Sequence, residues 1–280
     1  MREPPGPRLL PPVGYQGGKH ILAPAILDVI RPDPHAPFWD LCTGSGAVAL
    51  ETVRRGHDPS LLTLVDCGPW GEVWRDVGAG CFRLTHLRHL LDEVPDPSAD
   101  PARVVAHMKW LVQQSVSAQD RPVVFLVLQA AAWGGRAIGW DGVVGWRHAG
   151  FHSGWQPPKG SPRQSRNRPF SPSPLVLYER MAAICDALVG IHGIHADVRS
   201  VRPDAGVVYL DPPYAKTAGY PSGTFDPVAY ATALSVPCWV SERRPLAPHA
   251  TQLPLRHAGG VRGGHRASRE EWLSLVSGAA

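Results

Sequence analysis

The strongest constraint on the fold is the apolar run Val207-Val208-Tyr209-Leu210, which is followed at once by Asp211-Pro212-Pro213-Tyr214. A short apolar run of this kind predicts a buried strand of a parallel sheet. The strand has to end at Asp211, because proline lacks the N–H group that a sheet ladder requires. Ligands of open α/β sheets bind at the carboxyl ends of the strands, which makes Asp211 a candidate binding residue. Read alone, the tetrapeptide is also compatible with an ordinary turn.

The segment Asp211-Pro212-Pro213-Tyr214 carries groups suited to one kind of ligand. The carboxylate of Asp211 and the carbonyl of Pro212 can accept both hydrogens of an aromatic amine. The ring of Tyr214 can stack on the heterocycle that carries this amine. We therefore predict that Asp211, Pro212 and Tyr214 are catalytic residues.

Two earlier strands are also predicted to carry acidic residues at their ends. Residues Phe38-Trp39-Asp40-Leu41 predict a short strand, which runs into Cys42-Thr43-Gly44-Ser45-Gly46 and a helix over residues 47–53. The next strand, residues 61–65, finishes at Asp66. Strand, glycine-rich turn and helix form the first unit of a Rossmann-like nucleotide site. The glycine spacing matches neither G-x-G-x-x-G nor a P-loop, which disfavours a dinucleotide or P-loop phosphate site.

These acids and glycines favour a ligand that has a ribose and an amino group but no phosphate. Asp40 offers an acceptor for an ammonium group, and an acid in the position of Asp66 usually holds ribose hydroxyls. Upstream, Tyr15-Gln16-Gly17-Gly18-Lys19 precedes a helical pattern, so its glycines let the backbone approach a ligand near a positive helix end. We predict S-adenosylmethionine as the cofactor.

The pattern of strands and helices predicts an α/β fold with a Rossmann-like sheet and an inserted, largely helical region. Alternation of strands and helices breaks after about residue 70 and resumes with a helix over residues 175–188 and a strand that reaches Asp197. We divide the chain into a disordered lead (1–12), a first catalytic part with the cofactor motifs (13–74), the insertion (75–174) and a second catalytic part (175–280).

Basic and aromatic residues are concentrated in a few segments, although the net charge is only +4. Trp133-Gly134-Gly135-Arg136 is compatible either with an aromatic-basic surface or with a hairpin whose tryptophans lie in the core. Six arginines and no acid follow between residues 243 and 269. Such clusters suit a phosphate backbone or solvated loops. The candidate nucleic-acid-binding residues are Arg136, Lys159, Arg163, Arg166 and Arg168.

Several classes of protein are disfavoured by what the sequence lacks. No apolar run approaches the ~20 residues of a membrane helix, and no signal peptide precedes the first motif. The five cysteines form no C-x-x-C pair, and the 13 histidines show no paired metal spacing. We expect a cytoplasmic protein with no membrane partner and no metal, acting as a monomer or weak dimer.

The motifs around Tyr15, Gly17-Gly18-Lys19, Asp40 to Gly46, Asp66, Asp197 and Asp211 to Tyr214 together resemble the Dam-like N6-adenine DNA methyltransferases, including phage-encoded members. The order of motifs is the same, and the resemblance spans roughly residues 13 to 242. The chain departs from the family in its insertion, where Trp133-Gly134-Gly135-Arg136 replaces an asparagine-rich recognition pattern. The DNA recognition sequence therefore cannot be transferred.

The resemblance implies a Rossmann-like S-adenosylmethionine-dependent methyltransferase sheet with an inserted, largely helical target-recognition region. It further implies a site-specific DNA adenine N6-methyltransferase that acts on an adenine flipped out of double-stranded DNA. The sequence does not distinguish among restriction-modification, self-protection and regulation as its biological role. Asp211 and the Pro212 carbonyl would hold the adenine amine, and Tyr214 would stack on the base. The cofactor-binding residues that the resemblance implies are Tyr15, Lys19, Asp40, Gly44, Gly46, Asp66 and Asp197.

Two other functions are compatible with the same residues. The first is a methyltransferase for another amine, either cytosine N4 in DNA or guanine N2 in ribosomal RNA. The run Asp40 to Ala47 is also similar to the RNA enzymes, which lack the G-G-K lead and the long insertion, whereas cytosine enzymes more often carry serine in the position of Asp211. The second is a catalytically inactive DNA-binding protein of the same fold.

Overall fold

The computed structural model describes residues 8–95, 101–152, 172–213, 225–254 and 270–276. In these ranges the chain is a mixed α/β structure built on a seven-stranded sheet, compatible with a Rossmann-like fold. The strands of this sheet are β1 (Phe38–Leu41), β2 (Leu62–Asp66), β5 (His192–His195), β6 (Val207–Leu210), β7 (Cys238–Glu242), β8 (Ala250–Gln252) and β9 (Trp272–Val276). Their order across the sheet is β5-β2-β1-β6-β7-β9-β8.

The first five strands of this order are parallel, and β9 runs in the opposite direction. Strand β9 pairs antiparallel with β7 and with β8. In a dinucleotide-binding Rossmann sheet, with strand order 3-2-1-4-5-6, the sixth strand is also parallel to its neighbours. The present sheet differs from it at this end, because β9 is antiparallel. The reversal brings the first residue of β9 to the edge where β6 and β7 end.

The helices are α1 (Ala23–Ile30), α2 (Ala47–Arg54), α3 (Pro69–Gly78), α4 (Leu84–Asp92), α5 (Pro101–Leu111), α6 (Arg121–Ala131), α7 (Pro174–Leu188) and α8 (Pro227–Thr232). A two-stranded antiparallel hairpin, β3 (Gly139–Trp140) and β4 (Trp146–Arg147), follows α6. Within the described ranges no helix is both long and apolar enough to cross a membrane.

The sheet separates two apolar cores of different size. The larger core contains residues of α1 to α7 and one face of the sheet, represented by Phe38, Leu64 and Tyr209. The smaller core contains the opposite face, including Leu41 and Leu210, with α8. Side chains alternate between the faces of a strand, which is why neighbours in sequence such as Tyr209 and Leu210 belong to different cores.

Helix α3 lies in backbone contact with strand β5 because glycines remove the side chains between them. A Cβ atom on Gly193 would lie 2.2 Å from the backbone of Trp74 and Arg75, and one on Gly71 would lie 2.2 Å from the carbonyl oxygen of Asp66. Gly78, two turns after Gly71, would meet the carbonyl of Ile191 at 2.2 Å in the same way. This contact fixes α3 as the first part of the connection between β2 and β5.

Most of the expected strands and helices are present in the described ranges, including the short strands that end at Asp66 and Asp211 and the apolar helix before Trp133. Helices α3 and α8 and strand β8 were not predicted. The predicted boundary between residues 74 and 75 falls within α3. This helix was missed because its polar and glycine residues give no clear helical pattern, although it continues the alternation of strands and helices. The described part of the insertion is largely helical, and its helices α4, α5 and α6 pack in the same core as the sheet.

The structure answers the alternative left open for the tryptophan-rich segment largely in favour of a packed hairpin. Trp146 is 7% exposed and Phe151 is 8% exposed, whereas Trp133 remains 58% exposed. The ring of Trp146 lies 6.4 Å from that of Phe125 on α6 and 4.9 Å from that of Trp140. Residues 153–171, which include the candidate nucleic-acid-binding residues Lys159, Arg163, Arg166 and Arg168, lie outside the described residues.

The close contact of α3 with β5 predicts a strong effect of a single methyl group. We expect Gly193→Ala to lower the free energy of unfolding by about 2–4 kcal/mol, because backbone atoms and not flexible side chains occupy the space. The matched control is Gly139→Ala, whose Cβ would meet only the side chain of Arg147, at 3.8 Å. Urea unfolding of both variants tests this; equal stability of the two would contradict the packing.

Candidate functional site

A cleft opens at the carboxyl edge of the sheet, between the turn after β1 and the end of β6. The space between its walls is about 390 Å³, which includes open solvent at its mouth. Acidic, basic, glycine and aromatic residues share its wall. The lining residues are Tyr15, Gly17, Gly18, Lys19, Asp40, Cys42, Thr43, Gly44, Ser45, Ala47, Val48, Tyr209 and Asp211.

The alternation of side chains along three strands brings their acids to one face of the sheet. Asp40 shares a face with Phe38, Asp66 with Leu64, and the Asp211 position with Tyr209, and these apolar partners all belong to the larger core. Strands β1 and β6 pair in register, with Asp40 opposite Tyr209. The backbone N–H of Asp211 donates to the carbonyl of Leu41 at 3.1 Å, so the pairing extends to the acid itself.

The ammonium group of Lys19 lies between two carboxylates and is only 6% exposed. It donates to Asp211 Oδ1 at 2.8 Å and to the carbonyl oxygen of Gly17 at 3.3 Å. It also lies 3.4 Å from Glu271 Oε1. Glu271, one residue before β9, is 8% exposed. The two ion pairs hold the segment before α1 against the end of β6 and the start of β9.

Burial and the neighbouring charges shift the pKa values of this cluster. Burial raises the pKa of Asp211 to about 6, although the charge of Lys19 and its hydrogen bond oppose this shift. Burial alone would lower the pKa of Lys19, but the charges of Asp211 and Glu271 outweigh it and the pKa is raised. Lys19 is therefore a stable cation, whereas Asp211 changes charge in the weakly acidic range.

Asp40 is a second buried acid in the cleft, 2% exposed. Its Oδ2 atom accepts a hydrogen bond from the backbone N–H of Ala49 at 3.2 Å, near the start of α2. Burial, followed by the negative charge of Asp211, raises the pKa of Asp40 well above its ordinary value. A cationic group entering the cleft would favour the ionised form of this acid.

The turn between β1 and α2 has a left-handed backbone that glycine permits, with φ of 51° at Gly44 and 74° at Gly46. A Cβ on Gly44 would meet the ring of Tyr15 at 3.0 Å, and one on Gly46 would meet the indole of Trp74 at 2.5 Å. The indole N–H of Trp74 donates to the carbonyl of Gly44 at 2.8 Å. Trp74 therefore supports the turn from below, and Tyr15 covers it.

Four of the predicted catalytic and cofactor-binding residues in the described ranges do not line the cleft: Gly46, Asp66, Asp197 and Pro212. Asp66 Oδ2 accepts from the N–H of Gly44 at 2.9 Å and its Oδ1 from the N–H of Gly68 at 2.7 Å, so this acid holds the turn in place. Burial raises the pKa of Asp66 and those two hydrogen bonds oppose the shift. Asp197 instead pairs with Arg199 at 2.6 Å.

The tryptophan-rich segment lies against the segment that contains Tyr15. The N–H of Gln16 donates to the carbonyl of Gly135 at 2.8 Å. The ring of Tyr15 lies 5.7 Å from Trp70, which lies 5.0 Å from Phe125 beside the hairpin. Arg136 is exposed next to this contact. The insertion and the cleft are thus neighbours in space. Tyr214, Lys159, Arg163, Arg166 and Arg168 lie outside the described residues.

Sequence reasoning missed three residues that shape the site. Glu271 belongs to no motif, and only the pairing of β9 with β7 brings it to Lys19. Trp70 and Trp74 were not selected because helix α3 was not predicted, although their i, i+4 spacing indicates one helix face. Among the described residues no group of three or more potential ligands is arranged to hold a metal ion.

Comparison with known proteins assigns no family to the chain. No protein-family model matches the chain, and no curated protein matches its sequence. The chemistry of the cleft therefore rests on its own residues.

The geometry predicts that Lys19 controls the pKa of Asp211. We expect Lys19→Met to raise the pKa of Asp211 above about 6, because the ammonium group at 2.8 Å favours the ionised carboxylate. A pH titration of the Asp211 carboxyl carbon by NMR measures this pKa directly. Lys109→Met, which removes an exposed lysine on α5, is the matched control. An unchanged or lower pKa of Asp211 in Lys19→Met would contradict the ion pair.

Proposed function

We propose that the protein is an S-adenosylmethionine-dependent methyltransferase that acts on the exocyclic amine of a nucleic-acid base, with adenine N6 in DNA as the first candidate. The single observation that carries this proposal is that Asp211 lines the same cleft as the glycine turn and Asp40. An acceptor for an aromatic amine thereby stands beside a pocket suited to an amino acid and a nucleoside.

The cleft residues fit S-adenosylmethionine by their chemistry. Asp40 can pair with the ammonium group of the methionine part, since an entering cation favours the ionised form of a buried acid. Gly44 has no side chain, which lets the ring of Tyr15 lie directly against the turn as a wall of the cleft. Asp66 does not line the cleft and its carboxylate accepts from two backbone N–H groups, so the fit to the cofactor rests on Asp40 and the glycine turn.

Asp211 would activate the amine by accepting one of its N–H groups as a hydrogen bond. The lone pair of an aromatic amine is delocalised into the ring, and this contact draws the nitrogen toward a tetrahedral geometry in which the pair is localised. When bound, S-adenosylmethionine would supply a sulfonium methyl group; its transfer would form the N–C bond, break the C–S bond with the electron pair left on sulfur, and release a proton from the nitrogen. Asp211 or water takes that proton.

Two features favour a nucleic-acid base over a small amine. The turn over residues 133–136, which precedes the hairpin, lies against the Tyr15 segment at the cleft, and Trp133 and Arg136 are both exposed there. Aromatic and basic side chains in one place suit stacked bases and phosphates. A base in a duplex cannot reach a cleft of this kind unless it is flipped out, at a cost of a few kcal/mol.

The alternatives named from the sequence differ in what they require of the same residues. Cytosine N4 and guanine N2 are also aromatic amines that Asp211 could hold. An inactive DNA-binding protein of this fold would need no buried carboxylate at the end of β6. The presence of Asp211 in the cleft favours catalysis, and product analysis distinguishes among the three amines.

Incubation with labelled S-adenosylmethionine and duplex DNA, single-stranded DNA or ribosomal RNA tests the proposal, with the methylated nucleoside identified by mass spectrometry. We expect N6-methyladenine from DNA. Asp211→Asn should reduce the single-turnover rate by about 10²–10³-fold or more, since one preorganised electrostatic contact to the reacting group is lost. Binding of S-adenosylmethionine, measured by calorimetry, should change much less.

Asp204→Asn, an exposed acid shortly before β6, is the matched control and should act like the unmodified protein. Loss of cofactor binding and of activity together in Asp211→Asn would assign a structural role to this residue. Absence of methyl transfer to every nucleic acid, with no binding of S-adenosylmethionine, would overturn the proposal.

The raised pKa of Asp211 predicts the pH dependence of the reaction. The ionised carboxylate is the form that accepts the N–H group, and its pKa is about 6. The rate constant at subsaturating nucleic acid, which reports the groups of the free protein, should therefore be constant near neutral pH and fall about tenfold for each pH unit below the pKa. We call the fall in rate on the acidic side the acid limb of the pH profile. An acid limb near pH 4, the range of an ordinary aspartate, would contradict the assignment.

A further inference from the structure

Glu271 occupies a position that the proposed reaction does not yet explain. It is 8% exposed and lies 3.4 Å from the ammonium nitrogen of Lys19. The three hydrogens of that ammonium group face three acceptors, because Asp211 Oδ1 lies at 2.8 Å and the carbonyl of Gly17 at 3.3 Å. Lys19 thus stands between a near carboxylate and a slightly more distant one.

The topology of the sheet is what delivers this second carboxylate. Strand β6 ends before Asp211, and β9 runs antiparallel to β7, with Trp272 opposite Glu242. The start of β9 therefore meets the ends of β6 and β7 at one edge. A parallel strand in this position would have brought its last residue there.

Asp211 has a conflict of partners that Glu271 can resolve. Its Oδ1 atom accepts a short hydrogen bond from Lys19. A cation on a carboxylate withdraws electron density and weakens it as an acceptor for an amine. Removing the ammonium group without another partner would leave a charge unpaired in a buried site, which is costly. A second carboxylate within reach of the ammonium group avoids that cost.

We propose that Glu271 is a positioning residue that takes over the ammonium group of Lys19 when an amine substrate binds Asp211. Lys19 keeps a buried counter-ion, and Asp211 is left as a full-strength acceptor for the substrate N–H group. The inference rests on the proposed methyl transfer, since it concerns the activation of that amine. Glu271 touches neither substrate nor cofactor in this scheme and acts through Lys19.

The other ionisable groups around Asp211 define what removal of the Glu271 charge does. Lys19 lowers the pKa of Asp211, whereas the charges of Glu271 and Glu242 raise it. Asp40 and Tyr209 face the same cleft, and burial raises the pKa of each well above its ordinary value, with the charge of Asp211 adding to the shift. Neutralising Glu271 therefore makes Asp211 a stronger acid and strengthens its hold on Lys19.

Glu271→Gln gives a signature that a structural role would not produce. The single-turnover rate at saturating nucleic acid should fall about tenfold, because Lys19 remains on Asp211 and the amine is poorly positioned. At the same time the acid limb of the pH profile should move to lower pH, because a negative charge near Asp211 is removed. The affinity for nucleic acid should change less than threefold, since its contacts lie elsewhere.

Glu270→Gln is the matched control, because this neighbouring acid is exposed and accepts only from the indole N–H of Trp272 among the described contacts. It should leave both the rate and the acid limb unchanged. Glu271→Asp keeps the charge but withdraws it by one methylene group, so the rate should lie between those of the unmodified protein and Glu271→Gln. If Glu271→Gln does not fold, as judged by circular dichroism, Glu271→Asp carries the test alone with the same intermediate rate.

The inference and the proposed function fail in different ways. Absence of methyl transfer by the unmodified protein would overturn the proposed function and, with it, the exchange of Lys19. Active protein in which Glu271→Gln matches Glu270→Gln in rate and acid limb would overturn the inference alone. A tenfold loss of rate with an acid limb that stays near pH 6 or moves upward would also overturn it. NMR titration of Asp211 in Glu271→Gln, without substrate, should give a pKa below about 6; an unchanged value would contradict the coupling.

Discussion

One buried ammonium group makes the carboxyl edge of this sheet possible. Asp40, Asp211 and Glu271 all lie within a small, largely buried region, and three carboxylates without a cation would repel one another strongly. Lys19 pairs with two of them and fixes the segment that contains Tyr15 and the two glycines. The cleft exists because this segment is held over the strand ends by charge and not by apolar packing alone.

The same arrangement explains why the cleft is suited to chemistry. A salt bridge that served only stability could be replaced by apolar residues at little cost, and buried ion pairs are poor evidence of stability. Here burial raises the pKa of Asp211 to about 6 despite its ion pair with Lys19, and burial also raises the pKa of Asp40 well above its ordinary value. Strongly shifted acids in a cleft are typical of functional sites. The proposed methyl transfer uses both shifts, one for the amine substrate and one for the cofactor ammonium group.

Local patterns predicted the elements of the site better than they predicted its surroundings. The strands before Asp66 and Asp211 were predictable because apolar β-branched runs end at acids or prolines, and helix α2 was predictable because it follows a glycine turn. Helix α3 was missed because its sequence mixes tryptophan, acid and glycine, and its stability comes from contact with β5 at Gly193. The cleft-lining role of Asp40 was foreseen, whereas the backbone contacts of Asp66 and the ion pair of Asp197 with Arg199 were not.

The sequence by itself determined which residues stand at the ends of the parallel strands, because strand length, proline and side-chain alternation are local properties. It also determined that the turn after β1 needs glycine. Only the tertiary structure decided that α3 supports this turn through Trp74 and that Glu271 faces Lys19. The first contact joins residues that are 30 positions apart in the chain, and the second joins residues that are 252 positions apart. Both depend on the order and direction of the strands. An antiparallel β9 is a global choice of the fold, which no local pattern around Glu271 encodes.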